Sequence, residues 1–589
     1  MALNRLLQLI RAAWGMAYPY WFSEDRWVAR GLLLSVILLN LGIVFINVLL
    51  NKWNNKFYDA LQYKDYRVFA QLLIRFCWLA GLYIVFAVYQ LYLNQMLQIR
   101  WRRWLTDQYL GAWLAEGAYY RMQLTSGDVD NPDQRIEQDV PLFITSTLSL
   151  ATGGLRTVVT LISFVAILWG LSGKLTLHLM GHAFAVSGYL VWAAILYALA
   201  GTWFTHRIGR PLVGLNFNQQ RYEADFRFSL VRFRENAEGV ALYHGEAGEF
   251  RNFRERFASI VRNWWDIMRQ QKRLTWFTSG YAQAAVIFPI VMVAPRYFSG
   301  KILLGGLMQT AGAFGQVQDA LSFVISSYTD IASWAAVIDR LSQFREDLDR
   351  TRVGRATGNE IRRSDGDSYL KVNGVTLDLP DGQPLIANVN LSLGRGDNAL
   401  LRGPSGAGKS TLVRAIAGVW PFGHGEIRLP SNARVLFLPQ RPYLPIGTLR
   451  DVVSYPMPVD GVDDAVLSEA LKAVDLPELA GRLAETGHWE IQLSPGEQQR
   501  IAFARALVHK PDWLFLDEAT SAVDEATESR LYRMLRDRLP RTTVFSVGHR
   551  ATLGSFHSRQ LFVQADGHGP ASIVEMPAIQ PSTSSEPAA

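Results

Sequence analysis

The chain has 589 residues, too many for one ordinary domain, and 49% of them are hydrophobic while 19% are charged. That mixture excludes a small soluble module and suits an apolar part joined to a soluble part. Its one cysteine, Cys77, excludes an intramolecular disulfide, and the net charge of +7 comes with no basic tail or recognition motif pointing to nucleic acid.

In chain order, residues 4–14, "NRLLQLIRAAW", pattern as an amphipathic helix lying at a membrane interface. Residues 31–50, "GLLLSVILLNLGIVFINVLL", form an apolar run long enough to cross a bilayer. The stretch before it has aromatic and charged residues and no small-residue cleavage site, so this is not a cleaved signal peptide. Further apolar stretches near 76–93, 141–170, 184–204 and 274–294, with a more polar one near 305–335, bring the expected number of spans to six. With the N-terminus inside, segments 1–30, 94–140 and 205–273 carry 4, 5 and 13 Lys plus Arg, against 5, 1 and 2 in 51–75, 171–183 and 295–304. That balance favours a multi-pass protein with its N-terminus in the cytoplasm. Along the last stretch Gln309, Asp319, Ser326, Ser327 and Asp330 fall within about a 100° arc at helical spacing, which suggests a polar translocation face. An interhelical hydrogen bond from Asp319 is the structural alternative.

Residues 346–368, rich in Arg, Asp and Gly, read as a solvated linker after a transmembrane domain over 1–345. From 369 to 566 short strands alternate with helices, the pattern of a soluble α/β domain. The stretch 567–589, ending "PAIQPSTSSEPAA", has the composition of a disordered tail.

Within the α/β domain, Gly403-Pro404-Ser405-Gly406-Ala407-Gly408-Lys409-Ser410, followed by Thr411, fits the phosphate-loop pattern between a strand and a helix. Glycines let backbone N–H groups close around phosphates, and the helix N-terminus adds its dipole. In this pattern Lys409 reaches the β- and γ-phosphates of ATP and the Ser410 hydroxyl binds Mg2+. "WLFLDE", 513–518, is a buried strand that delivers Asp517 to the metal and offers Glu518 as the base that polarises the attacking water. As a bland alternative, Glu518 caps the next helix. His549, taken alone, reads as a structural histidine.

The phosphate loop, "LSPGEQQRIAFARAL", "WLFLDEATSAVD" and "SVGHR" together resemble the ATP-binding domain of ABC transporters. The resemblance implies that Gln440 is the glutamine joining the metal site to the membrane part. It further implies that Ser521–Asp524 form the D-loop and that His549 contacts the γ-phosphate. Ser494, Gly496 and Glu497 would belong to the signature turn that closes the nucleotide site of a second copy, which implies a dimer. Two positions depart from the family pattern. Pro495 replaces the usual glycine of that turn, and Leu379 stands where many members place an adenine-stacking aromatic.

In the membrane half, "LNKWNNKFYDALQ" (50–62), "RWRRWLTDQYLGAWL" (100–114), "DNPDQRIEQDV" (130–140) and "FRFSLVRFRENAEGVALYHGEAGE" (226–249) resemble SbmA/BacA-like transporters. They resemble, less closely, the D subfamily that moves acyl-CoA or cobalamin in eukaryotic organelles. The resemblance implies an exporter-type helical transmembrane domain of six spans fused to a P-loop ATPase domain, paired as a homodimer in the bacterial inner membrane with its ATPase domain cytoplasmic. It also implies that 130–140 and 234–246 are coupling elements that dock on the ATPase domains. The expected activity is ATP-driven uptake of a bulky hydrophilic small molecule or peptide. Export, carriage of acyl or lipid-like substrates, and a non-transporting ATP-switched regulator are the alternatives.

Overall fold

The computed structural model describes residues 2–125, 131–179, 182–353, 361–366, 369–431, 433–458, 461–565 and 569–576. Contacts divide the chain into two units, Met1–Leu110 with Asp130–Arg345, and Gly111–Val129 with Glu346–Ala589.

In the first unit, helix α1 (Ala2–Ala17) buries Leu9, Ala13 and Met16 while leaving Leu7, Ile10 and Trp14 exposed. Helices α2 (Arg26–Gln62) and α3 (Tyr66–Leu114) follow. Then α4 (Ala118–Thr125), α5 (Pro132–Gln134), a π-helical turn at Arg135–Asp139 and α6 (Val140–Ser172) continue the chain. Along α3 side chains such as Ile74, Trp78, Ile84 and Val88 stay more than half exposed. A helix this apolar on its open side has hydrocarbon as its solvent. Among the described residues, four helical stretches are long and apolar enough to cross a membrane: Arg26–Gln62, Tyr66–Leu114, Pro132–Ser172 and Glu246–Phe298.

Strands β1 (Lys174–Leu179) and β2 (His182–Ser187) form an antiparallel pair before α7 (Tyr189–Glu235). This corrects the expected fourth span, because 184–187 are strand and the helix begins at Tyr189. Short α8 (Ala237–Leu242) then turns the chain into α9 (Glu246–Phe298), followed by α10 (Leu304–Ser326) and α11 (Tyr328–Val353).

Polar ties set the helix register. Asn51 Nδ2 donates to Gln309 O at 3.0 Å and Asn55 Nδ2 to Gln309 Oε1 at 2.8 Å, joining α2 to α10. At Gly305 a Cβ would lie 1.8 Å from Asn55 O, so the approach of these helices requires glycine. The hydroxyls of Tyr197 and Tyr281 donate to each other's backbone carbonyls at 2.6 and 2.9 Å, joining α7 to α9. Arg296 Nη1 donates to Leu171 O and Ser172 O at the end of α6, answering carbonyls that lack helical partners.

Of the polar arc expected across 305–335, the Ser326 side chain lies outside the described residues and the other four members divide by burial. The helix divides at Ser327, Gln309 is buried against α2, and Ser327 is buried, whereas Asp319 and Asp330 are exposed. Gln309 fastens two helices; it does not line an open face.

Within the expected docking element at 130–140, the described residues 131–140 belong to the first unit. Residues 111–129 group with the second unit, where Leu124 packs on the core behind the phosphate loop. Asp139 instead serves the first unit. Its carboxylate is 4% exposed and receives Arg135 Nη1 at 2.6 Å and Arg340 Nε at 2.9 Å. Within 234–246, short α8 ends at Leu242, and Leu242 and Tyr243 are both largely exposed.

The second unit contains β3 (Arg362–Gly366), β4 (Leu370–Asp378), β5 (Pro384–Leu393), β6 (Ala399–Arg402), α12 (Lys409–Ala417), β7 (Gly423–Pro430) and β8 (Val435–Leu438). A mostly helical insert follows, with β9 (Gly447–Thr448), α13 (Leu449–Ser454), α14 (Asp464–Ala473), β10 (Thr486–Gly487) and α15 (Trp489–Gln492). Then come α16 (Pro495–His509), β11 (Trp513–Asp517), α17 (Glu525–Arg538), β12 (Thr543–Val547), β13 (Arg559–Gln564) and β14 (Ser572–Met576). One sheet runs β14-β13-β6-β12-β11-β8, with antiparallel β14 at its edge and the other strands parallel; the other runs β3-β7-β4-β5. Apolar clusters cover the parallel sheet on either side, as buried parallel strands require.

Two compositional expectations need adjustment. The linker contains the end of α11 and strand β3, while 354–360 lie outside the described residues. The tail expected from 567 contains β14, whose Ile573 packs on the core; residues 577–589 lie outside the described residues.

Candidate nucleotide site

Four adjacent parallel strands, in the order β6-β12-β11-β8, release the motif residues at their carboxyl ends. The phosphate loop leaves β6, His549 follows β12, Asp517 and Glu518 end β11, and Gln440 follows β8. Side chains scattered over about 150 positions therefore meet at one sheet edge, the usual ligand crevice of an open α/β sheet.

In the loop itself, Gly403 and Gly408 have φ of +150° and +87°. A Cβ on Gly403 would lie 2.9 Å from Val563 O, and one on Gly408 would lie 2.8 Å from Ile386 Cδ1. Lys409 opens α12 and is 5% exposed. Its Nζ donates to Gly403 O at 3.0 Å and Pro404 O at 2.7 Å. Burial lowers the ammonium pKa, and the Glu518 and Asp517 charges oppose that shift. The loop therefore keeps a cation close to its backbone N–H groups, the chemistry of an anion cradle.

Ser410 Oγ donates to Asp517 Oδ1 at 2.8 Å. Burial pushes the Asp517 carboxyl above its usual range, with the Ser410 hydrogen bond opposing. Glu518 has φ of +48°. Its Oε2 accepts from Gln440 Nε2 at 3.1 Å and its Oε1 lies 3.0 Å from His549 Nε2. Lys409, Ser410, Asp517, Glu518, Gln440 and His549 thus form one constellation.

The signature residues are built separately. Ser494 is the N-cap of α16, and its hydroxyl donates to Glu497 Oε2 at 2.7 Å while that carboxylate also accepts from the Ser494 N–H at 2.8 Å. These bonds hold Glu497 below the usual carboxylate range. Pro495 occupies the first helical position, where its missing N–H is one that no helix would satisfy. Asp524 caps α17 through the Thr527 N–H at 2.9 Å. Among the described residues, no hydrogen bond or ion pair joins Ser494, Gly496, Glu497 or Asp524 to the phosphate loop.

Sequence reasoning missed Gln499. Its Nε2 donates to Gln440 O at 2.9 Å and Ser521 Oγ at 3.1 Å, and its Oε1 accepts from Ala522 N at 2.8 Å. It is 3% exposed, so one side chain in the signature helix ties together two other motif loops. An amide on the buried side of a helix is the signal that marks it. Leu379, half-buried, sits in the turn between β4 and β5, with its N–H bonded to Gln383 O.

The fold and site define an ATP-binding P-loop ATPase joined to a helical membrane domain. Residues 18–298 match the ABC transporter transmembrane region 2 and residues 386–521 match the ABC transporter family. The chain is 36% identical to the inner membrane ABC transporter ATP-binding protein YddA of Escherichia coli (strain K12), across 90% of this chain and 93% of that protein. It is 34% identical to the chloroplastic ABC transporter D family member 2 of Arabidopsis thaliana, across 95% and 86%. It is 28% identical to the human lysosomal cobalamin transporter ABCD4, across 94% of each. An ATP-bound bacterial Atm1-family ABC exporter shares the fold with a TM-score of 0.69 at 19% identity, covering 92% of this chain and 94% of that one. The chain belongs to the ABC transporter family and is related to its D subfamily; it is an ATPase coupled to membrane transport.

Proposed function

We propose that two copies of this chain form an ATP-driven importer of bulky hydrophilic solutes, such as peptides or cobalamin, in a bacterial inner membrane. The observation that supports pairing is the separation within one copy. The constellation around Lys409 and Glu518 is assembled, yet Ser494 and Gly496 sit on another helix N-terminus with no bond to it. A second copy facing the first supplies that N-terminus to the γ-phosphate. The inner-membrane placement follows the Escherichia coli relative, and cobalamin is the solute in the human relative's name. Peptide uptake follows the resemblance to SbmA/BacA-like transporters. In this reading α7 and α10 join the four long apolar helices as six spans, with the N-terminus and the ATPase domain cytoplasmic.

Lys409 and the loop N–H groups bind the β- and γ-phosphates. Ser410 and Asp517, hard oxygen donors 2.8 Å apart, suit Mg2+, with Gln440 beside them; the ion would neutralise charge on the phosphate oxygens. Glu518 orients the attacking water and accepts its proton as the bond between the γ-phosphorus and the bridging oxygen breaks, releasing ADP and phosphate. His549 holds the Glu518 carboxylate and contacts the γ-phosphate. Gln440 carries the state of the site toward the membrane unit.

Uptake is tested in proteoliposomes with ATP supplied only on the side of the ATPase domain. Labelled cobalamin or a labelled peptide should be carried toward the ATP side. Carriage in the opposite direction would identify an exporter, and ATP turnover without carriage of any solute tried would favour an ATP-switched regulator.

A further inference from the structure

Glu528 lies in the first turn of α17 and is 1% exposed, so its carboxylate is taken wholly out of water. Thr520 Oγ1 donates to Oε1 at 2.6 Å, Thr552 Oγ1 donates to Oε2 at 3.1 Å, and Arg550 Nη1 lies 3.5 Å from Oε1. Thr520 is two residues past Glu518, and Arg550 and Thr552 are one and three residues past His549. The two loops that meet through the His549–Glu518 contact are therefore pinned together a second time, underneath it. Arg402, the last residue of β6, adds a bond from Nη2 to Arg550 O at 2.7 Å, which brings the root of the phosphate loop into the same assembly.

Burying a carboxylate is costly unless its oxygens are answered, and an apolar side chain would fill the space without that cost. What the carboxylate adds is direction: it accepts from a hydroxyl on each of two loops that carry reacting groups. We propose that Glu528 is a positioning residue for ATP hydrolysis, fixing the spacing between the loops that bear Glu518 and His549. The proposal rests on the reading of Glu518 as base and His549 as its partner given above. The same helix begins at Asp524, in the loop that faces the partner copy in the dimeric reading. One turn of helix therefore connects that loop to the two catalytic loops.

Glu528→Gln keeps the shape but removes the charge facing Arg550 and replaces one acceptor by a donor. In the full-length reconstituted protein kcat should fall by about ten- to a hundredfold, the scale of a small misplacement of reacting groups. KM and the Kd for a fluorescent ATP analogue should stay within about twofold. Combined with His549→Ala, the same change should alter the residual kcat by less than about twofold, because a residue acting through these loops has nothing left to align. Thr552→Val removes one arm with little change in volume and should give a smaller loss of kcat at unchanged KM. It is the variant to read if Glu528→Gln does not fold. Unchanged kcat in both variants overturns the proposal, as does an undiminished loss in the His549→Ala background or a loss of nucleotide affinity as large as the loss of kcat. Glu518→Gln separates the two readings. If that protein still hydrolyses ATP, the base assignment fails; if it is inactive while Glu528→Gln is fully active, only the positioning role fails.

Discussion

Glu518 adopts a left-handed backbone that costs a non-glycine residue about 1–2 kcal/mol. Its N–H donates to Val547 O at 3.1 Å and its carbonyl accepts from Ser521 N at 3.0 Å, so both sides of the residue hold the turn in place. The turn takes the chain out of β11 and aims the carboxylate at His549 and Gln440. Glu518→Gln preserves that backbone and both contacts, so ATP affinity and melting temperature should stay near the unmutated values. Hydrolysis should fall by about 10²–10⁴-fold, the worth of a positioned base, as measured by phosphate release. Asp517 gives a pH-dependent case. Its carboxyl pKa is raised on folding, so its contribution to stability is present below the unfolded pKa and is lost as pH rises through the folded value. The ionised form is therefore less favourable in the folded protein than in the unfolded chain. Asp517→Asn should raise the nucleotide-free melting temperature at pH 7, as measured by thermal unfolding. That margin should shrink at lower pH, and Mg2+-dependent hydrolysis should be lost. Lys409, Ser410, Asp517 and Glu518 were legible in sequence because residues at a strand exit have fixed geometry. Gln499 and the strain at Glu518 were not, because both depend on what packs around them.

Among elements, apolar length is the dependable signal, and the errors fall where partners decide the outcome. Residues 184–187 are as apolar as a span, yet they pair with β1 and turn at Gly188 before α7 begins. Ser572–Met576 has tail-like neighbours but pairs with β13 as an edge strand and packs Ile573 on the core. "DNPDQRIEQD" gives no hint that its last aspartate is a buried anchor, since Arg340, two hundred residues away, supplies half of the answer. Asp139 is flanked by Arg135, at 11% exposure, and by the more open Arg340, at 38%. Asp139→Asn would remove the charge from the acceptor that two guanidinium groups share. Full loss of a buried pair costs about 3–5 kcal/mol, and the exposure of Arg340 puts the expectation toward the lower end. Thermal unfolding of the detergent-solubilised protein should show a clear fall in melting temperature. Arg340→Gln, on the more exposed partner, should show a smaller one.

For the whole molecule, the property to test is the proposed pairing of copies, which involves more than either unit by itself. If hydrolysis used only groups within one copy, each copy would need its own Lys409 and its own Ser494. In the paired arrangement each site takes Lys409 from one copy and Ser494 from the other. Lys409→Ala removes the ammonium held in the phosphate loop, and Ser494→Arg replaces the cap at the N-terminus of α16 with a bulky cation. Homodimers of either variant have no intact site under both arrangements. When the two variants are co-expressed without bias, about half of the dimers combine one of each, as random association of two equal pools requires. In such a dimer one site collects both defects and the other has neither. Independent sites would then restore up to about a quarter of the unmutated ATPase rate, whereas sites confined to single copies would restore none. Tagging the two variants differently and purifying through both tags isolates the mixed dimer, for which the expected rate rises to about half. An inactive mixed dimer that still binds ATP would refute independent cross-subunit sites, and full activity in either homodimer would refute the need for a second copy.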